Sequence, residues 1–180
     1  MSSAEEIEDL IGKVSLGDRR AFDQLYNLTN AKLFGVCLRV LNNRASAEDV
    51  LQETYMKVWR YAERYARGGT SPMTWLITIA RNTAIDKLRA HRDSEDIDGM
   101  SETLAGAGPT PEQVAVATGE AGRITDCMKE LEEPRDKAVR GAYLEGLSYA
   151  ELAEKLNVPL NTIRTWLRRS LISLRECMER

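Results

Sequence analysis

Apolar residues in this chain recur at three- and four-residue intervals, and no stretch alternates with period two. The pattern therefore predicts helices and no strands. Ile7, Leu10, Ile11 and Val14 mark a first short helix, with Ser3 as a cap and an end near Gly17. Asp18 is placed to cap a longer helix whose stripe is Phe22, Leu25, Tyr26, Leu28, Leu33, Phe34, Cys37, Leu38 and Leu41. "NNRAS" breaks the chain, and Ser46 with Asp49 has the spacing of a capping box for "AEDVLQETYMKVWRYAERYA". After the loop "RGGTSP", the order Ser71 then Pro72 marks another helix start, leading into "PMTWLITIARNTAIDKLRAHR". There Trp75, Leu76, Ile79, Ala80, Thr83 and Leu88 form the apolar side.

The pattern then stops. "DSEDIDGMSETLAGAGPTP" is acidic, rich in glycine and aperiodic, and reads as a flexible linker. A second helical set follows at roughly 112–132, 134–144, 149–156 and 160–177, with Ser148 and Glu151 spaced as a further capping box. The expected architecture is all-α: two small helical domains, residues 1–92 and 112–180, joined by the tether 93–111.

The last two helices carry the first chemical signal. In "SYAELAEKLNVPLNTIRTWLRRSL", Leu152, Ala153 and Leu156 form an apolar edge that Val158, Ile163, Leu167, Leu171 and Leu174 continue. A short helix, a tight turn and a longer helix have the spacing of a helix-turn-helix, with small Ala153 where the helices approach. Asn161, Arg164, Thr165 and Arg168 share the opposite face, flanked by Thr162 and Arg169. Arginine can grip guanine N7 and O6, and asparagine the corresponding edge of adenine. In this motif the second helix enters the major groove, and its first turn can hold a phosphate. Trp166 borders both faces, so packing and reading are both open to it.

Net charge of −3 argues against a polyanionic partner until its distribution is considered. Between Asp93 and Glu133 stand eleven acids and two bases, whereas segments 71–92 and 159–180 each carry a net charge of +3. Local field governs binding to nucleic acid, and here two basic segments flank an acidic middle. No run of about 18 apolar residues occurs, and "MSSAEEIEDLIGK" has neither a basic leader nor an apolar core, so a cytoplasmic protein is expected. Cys37, Cys127 and Cys177 are far apart and odd in number, which predicts buried free thiols and no disulfide framework or zinc site.

Catalysis finds little to work with. His91 is the single histidine and reads as solvent- or phosphate-facing; no glycine-rich phosphate loop is present. Asp49 and Glu53 could pair on a metal ion, but no further acid joins them. No catalytic residue, metal ligand or cofactor is expected.

Taken together, "GDRRAFDQLYNLTNAKLFGVCLRVLNNRASAEDVLQETYMKVWR", "TWLITIARNTAIDKLRAHR" and "LEEPRDKAVRGAYLEGLSYAELAEKLNVPLNTIRTWLRRSLISLREC" strongly resemble the extracytoplasmic-function (ECF) sigma factors of bacteria. The resemblance implies a non-enzymatic subunit that joins core RNA polymerase and directs it to promoter DNA. The family's D-x-x-Q-E pattern falls on Asp49, Gln52 and Glu53, with Met56 on the same face and Trp59 beyond; these become the expected contacts to core polymerase. Tyr65, Arg81, Asn82, Lys87 and Arg89 become the expected −10 contacts, with Arg92 beside them. "YARGGTSP" corresponds to the family's specificity loop for an unstacked base, although it departs from the common loop sequence. Asn161, Thr162, Arg164, Thr165, Arg168 and Arg169 become the −35 contacts. An acidic tether would keep the free subunit off DNA. The resemblance further implies an anti-sigma factor, in this family often membrane-bound or zinc-containing, covering the core-binding surface. A helix-turn-helix regulator would explain residues 134–180 but leaves Asp49, Gln52, Glu53 and "IARNTAIDKLR" without a task. A purely protein-binding helical module is the remaining alternative.

Overall fold

The computed structural model describes residues 3–65, 67, 69–94, 119 and 122–180. They contain helices and no strand. The chain divides into two compact units, Met1–Val114 and Ala115–Arg180. The first contains α1 (Ser3–Ser15), α2 (Arg19–Leu41), α3 (Arg44–Tyr61), a 3-10 turn (Ala62–Arg64) and α4 (Pro72–Ser94). In the second, residues 122–129 are helical (α5), followed by α6 (Glu133–Tyr143), α7 (Tyr149–Leu156) and α8 (Leu160–Glu179). The rest of the acidic stretch and the first residues of the expected 112–132 helix lie outside the described residues. α4 itself continues through Asp93 and Ser94, two residues into the stretch read as linker.

Local chemistry sets the helix ends. Asp18 accepts hydrogen bonds from the backbone N–H groups of Arg20 and Ala21, as its position before α2 predicts. Gly17, at φ +84°, supplies the left-handed residue that ends α1. The capping box expected at Ser46 is displaced. Asn42 ends α2 in the left-handed region, and Asn43, in extended geometry, caps α3 by accepting from the Ser46 N–H. Asparagine tolerates the left-handed conformation and caps well, so the pair makes the whole break and α3 begins three residues earlier. Ser71 Oγ accepts from the Thr74 N–H ahead of Pro72. Ser148 and Glu151 form the reciprocal capping box expected for α7.

Burial corrects the stripe read for α2. Leu25, Leu33, Phe34 and Cys37 are in the core, but Leu28 is 53 % exposed and Leu38 also faces outward. Ala21, Thr29, Asn30 and Val40 are buried instead. A 3.6-residue period carries the inward face through 21, 25, 29, 33, 37 and 40, and leucine's hydrophobicity alone does not say on which side of that arc it falls. Thr29 makes burial tolerable by sharing its hydroxyl with the Leu25 carbonyl at 2.6 Å and the Tyr55 hydroxyl at 2.6 Å. Burial pushes the Cys37 thiol up to about 12, which leaves it an inert, protonated core residue.

The second unit closes around Met128, Ala138, Val139, Ala142, Leu152, Ile163 and Leu167. On α8 the edge runs through Ile163, Leu167 and Ser170, while Leu171 is 43 % exposed. At 100° per residue, Ser170 falls on the Ile163–Leu167 side and Leu171 about 40° beyond its Leu167 edge. α6 and α7 approach closely at Gly141, where a Cβ would overlap Leu152 Cδ2 and stand 3.4 Å from Leu147 Cδ1. Gly141→Ala is expected to cost roughly 1 kcal/mol net, overpacking outweighing the gain in helix propensity. Chemical denaturation of the two chains checks it.

The cysteine expectation fails for two of the three thiols. Cys127 and Cys177 form a disulfide, Cα to Cα 5.8 Å, between α5 and the end of α8. They are 50 residues apart in sequence, and only the return of α8 across α5 makes them neighbours. Among the described residues no helix is long and apolar enough to cross a membrane, and no His/Cys/Asp/Glu group is arranged to hold a metal.

Candidate functional site

The outer side of α3 follows from its own period. Ala47, Val50, Leu51, Thr54, Tyr55 and Val58 are buried, so the remaining arc must face out. Asp49, Gln52, Glu53 and Met56 occupy it within about 100° of arc, all exposed, with Trp59 at one margin. Met56 is 65 % and Trp59 40 % exposed, unusual for such large apolar groups amid carboxylates.

Beside this arc runs an open groove of about 760 Å³ between α2 and α3, lined by Phe22, Tyr26, Gln52, Tyr55, Met56, Trp59, Arg60 and Glu63. Its rings are locked edge to face. Phe22 lies 5.3 Å from Trp59 and 6.1 Å from Tyr55, with planes near perpendicular in both pairs. Tyr26 tilts against Tyr55 at 4.8 Å. Burial raises the Tyr55 phenol well above its ordinary value, so it remains a neutral part of the groove wall. An apolar floor rimmed by charges is the anatomy of a protein-binding patch. Phe22 and Tyr26 were legible only as part of the α2 core stripe. Arg60 and Glu63 carried no sequence signal.

One ion pair and one hydrogen bond tie α3 to α4. Lys87 Nζ lies 3.4 Å from Asp49 Oδ2. Lys57 Nζ lies 3.5 Å from Glu53 and donates to Thr83 Oγ1 at 3.0 Å, and Thr83 in turn donates to the Ile79 carbonyl. Lys87 therefore turns toward α3. Helix geometry puts Asn82 and Arg89 about 20° apart and Lys87 about 140° from Asn82. The basic residues of α4 do not make a single stripe. Asn82, Arg89 and Arg92 are exposed; Arg81 is half-buried and donates to Asn82 Oδ1 at 3.2 Å.

Tyr65 is likewise engaged. Its ring tilts against Trp75 at 5.4 Å, and its hydroxyl donates to the Thr70 carbonyl at 3.1 Å with Glu8 Oε1 at 3.4 Å. Desolvation and then the Glu8 carboxylate raise its pKa, which keeps the phenol a donor. Nearby, Arg67 Nη2 meets Asp9 Oδ1 at 2.6 Å. The links to α1 had no counterpart in the sequence pattern, because nothing in it joins residue 9 to residue 67.

On α8, Asn161, Arg164, Thr165, Arg168 and Arg169 are exposed and Thr162 is half-buried. The first four share about 100° of arc, opposite Ile163 and Leu167. Thr165 Oγ1 donates to the Asn161 carbonyl at 3.0 Å. Trp166 is resolved toward packing, half-buried against the core of the second unit. No side chain caps α8, whose N-cap is Pro159, so its first backbone N–H groups point along the chain's entry to the helix.

The two units match two family models: Sigma-70 region 2 over residues 25–94 and Sigma-70, region 4 over residues 121–174. Similar proteins include the ECF RNA polymerase sigma factor SigK of Mycobacterium sp. (strain KMS), 33% identical over 96% of this chain and 91% of that protein. SigK of Mycobacterium ulcerans (strain Agy99) is 31% identical over 98% of this chain and 95% of that one. Among solved structures, Rhodobacter sphaeroides SigE in complex with the anti-sigma ChrR is 27% identical, with a TM-score of 0.47 and coverage of 95% of this chain and 97% of that one. With relatives of this identity aligned along nearly its whole length, the chain belongs to the ECF family of RNA polymerase sigma factors.

Proposed function

We propose that this protein is an alternative sigma factor that joins core RNA polymerase through the outer face of α3 and directs it to specific promoters. The α3 face carries the reading: Asp49, Gln52, Glu53 and Met56 stand exposed together, with Trp59 at the edge of an aromatic groove. Carboxylates at the rim steer and orient a basic partner surface, while Met56, Trp59 and the groove supply the apolar area that slows release. Trp59→Ala is expected to weaken core binding by about 1–2 kcal/mol. Titration of labelled chain with core polymerase measures it, and unchanged affinity would remove Trp59 from the interface.

Residues 1–92 serve core binding and the −10 element in this reading, and residues 112–180 serve the −35 element. Residues 93–111 act as the acidic tether between them. Asn161, Thr162, Arg164, Thr165, Arg168 and Arg169 address the −35 duplex, the exposed arginines being suited to guanine edges and phosphates. Arg81, Asn82 and Arg89 serve the −10 strand. Lys87 joins them once its pairing with Asp49 is exchanged for DNA, and Tyr65 acts through the loop that it closes. The work is binding energy and not bond chemistry. Two modest readings held on one polymerase reinforce each other through effective concentration.

The protein acts in the cytoplasm, and an anti-sigma factor controls it by covering the α3 face. In vitro transcription with core polymerase over a library of genomic promoters tests the reading. Initiation from promoters sharing an asymmetric two-part signal supports it. Binding to a palindrome without polymerase would favour a helix-turn-helix regulator instead.

A further inference from the structure

α1 lies outside the matched region 2, which begins at residue 25, and the sigma reading gives it no task. Its hydrophobic side is spent on the core through Ile7, Leu10, Ile11 and Val14. Two consecutive acids on its other side reach the loop between the 3-10 turn and α4. Glu8 meets the Tyr65 hydroxyl, and Asp9 pairs with Arg67 at 2.6 Å. The guanidinium lies beside Gly12, where a Cβ would stand 3.8 Å from Nη2, so α1 presents a low shelf under it. The far side of the loop is fixed as well. Tyr65 bonds to the Thr70 carbonyl and packs on Trp75, and Ser71 caps α4 immediately after.

We infer that Glu8 and Asp9 are positioning residues that set the base selectivity of the segment before α4 by holding Tyr65 and Arg67 from α1. The inference rests on the sigma reading above, in which this loop meets the promoter near −10. A segment pinned beforehand at Tyr65 and Arg67 loses less freedom on binding the correct base and relaxes less around a wrong one. A loosened loop adapts to both. Removing the clasp therefore lowers discrimination more than it lowers affinity.

The test uses holoenzyme assembled from core polymerase and the full chain, transcribing promoters randomised across the −10 element. Asp9→Ala and Glu8→Ala are each expected to reduce discrimination about two- to fivefold at the positions facing the loop, the scale of an exposed charged contact. Asp9→Glu, which can still reach Arg67, restores it. Preference at −35 and affinity for core stay at their wild-type values. Wild-type base ratios in both alanine variants would overturn the inference, as would an equal loss at every position of both elements, which marks a general folding defect. If the wild-type chain itself initiates at no promoter, the sigma reading fails. If the wild type discriminates and the alanine variants do so equally well, only the role of α1 fails.

Discussion

Arg164→Ala is expected to weaken holoenzyme binding to the −35 element by about 1–3 kcal/mol and to relax preference at a single base pair. The size follows from what the side chain can do. Arg164 is exposed in the second turn of α8, on the face opposite Ile163 and Leu167, where a guanidinium can take both acceptors of one guanine. Arg168 lies one turn on along the same face, and its loss should relax a neighbouring position. Arg169 is rotated about 100° from Arg168 and makes the control. As a phosphate contact it should weaken all sequences alike and reduce the salt slope by about one. Thr165→Ala should cost less than either arginine change, because its hydroxyl proton already serves the Asn161 carbonyl. Binding to single-base variants of the −35 duplex, at two salt concentrations, separates these cases. If Arg164→Ala and Arg168→Ala both leave base preference intact, the reading face of α8 is wrong.

Cys177→Ser should destabilise the second unit by about 2–4 kcal/mol under oxidising conditions. The disulfide closes a long loop, its cysteines 50 positions apart, so the open chain regains much conformational freedom on unfolding. The unit is small, and its core comprises few large side chains, so the loss is a large share of what holds it folded. For a domain of this size the melting point should fall by on the order of 10–25 °C. Reduced wild-type protein should melt with the variant, since both lack the same link. In any reducing compartment that lower value is the working stability. Calorimetry of oxidised wild type, reduced wild type and Cys177→Ser is the measurement. Coincident melting of all three would show that the bond holds nothing that packing does not.

Both effects turn on tertiary position, but the sequence exposes one and hides the other. The reading face of α8 is a matter of period: once Ile163 and Leu167 are inside, Arg164 and Arg168 are outside whatever surrounds them. The same holds for α3, whose buried set matches its apolar spacing and leaves Asp49, Gln52, Glu53 and Met56 together. Caps are local too, and Asp18, Ser71 and Ser148 act where their spacing puts them. Ser46 failed because Asn43 was a stronger cap three residues earlier, a competition between neighbours that composition does not rank.

The sequence by itself determined the all-helical class, the helix-turn-helix and the polar α3 face, because each depends on contacts within a few turns of one helix. The tertiary structure alone decided the disulfide, the aromatic groove of Phe22, Tyr26 and Trp59, and the contacts of Glu8 with Tyr65 and of Asp9 with Arg67. It also decided that Lys87 faces Asp49 and not the Asn82 side of α4. These join residues between 29 and 58 positions apart, and periodicity within a helix carries no information about which other helix will lie beside it.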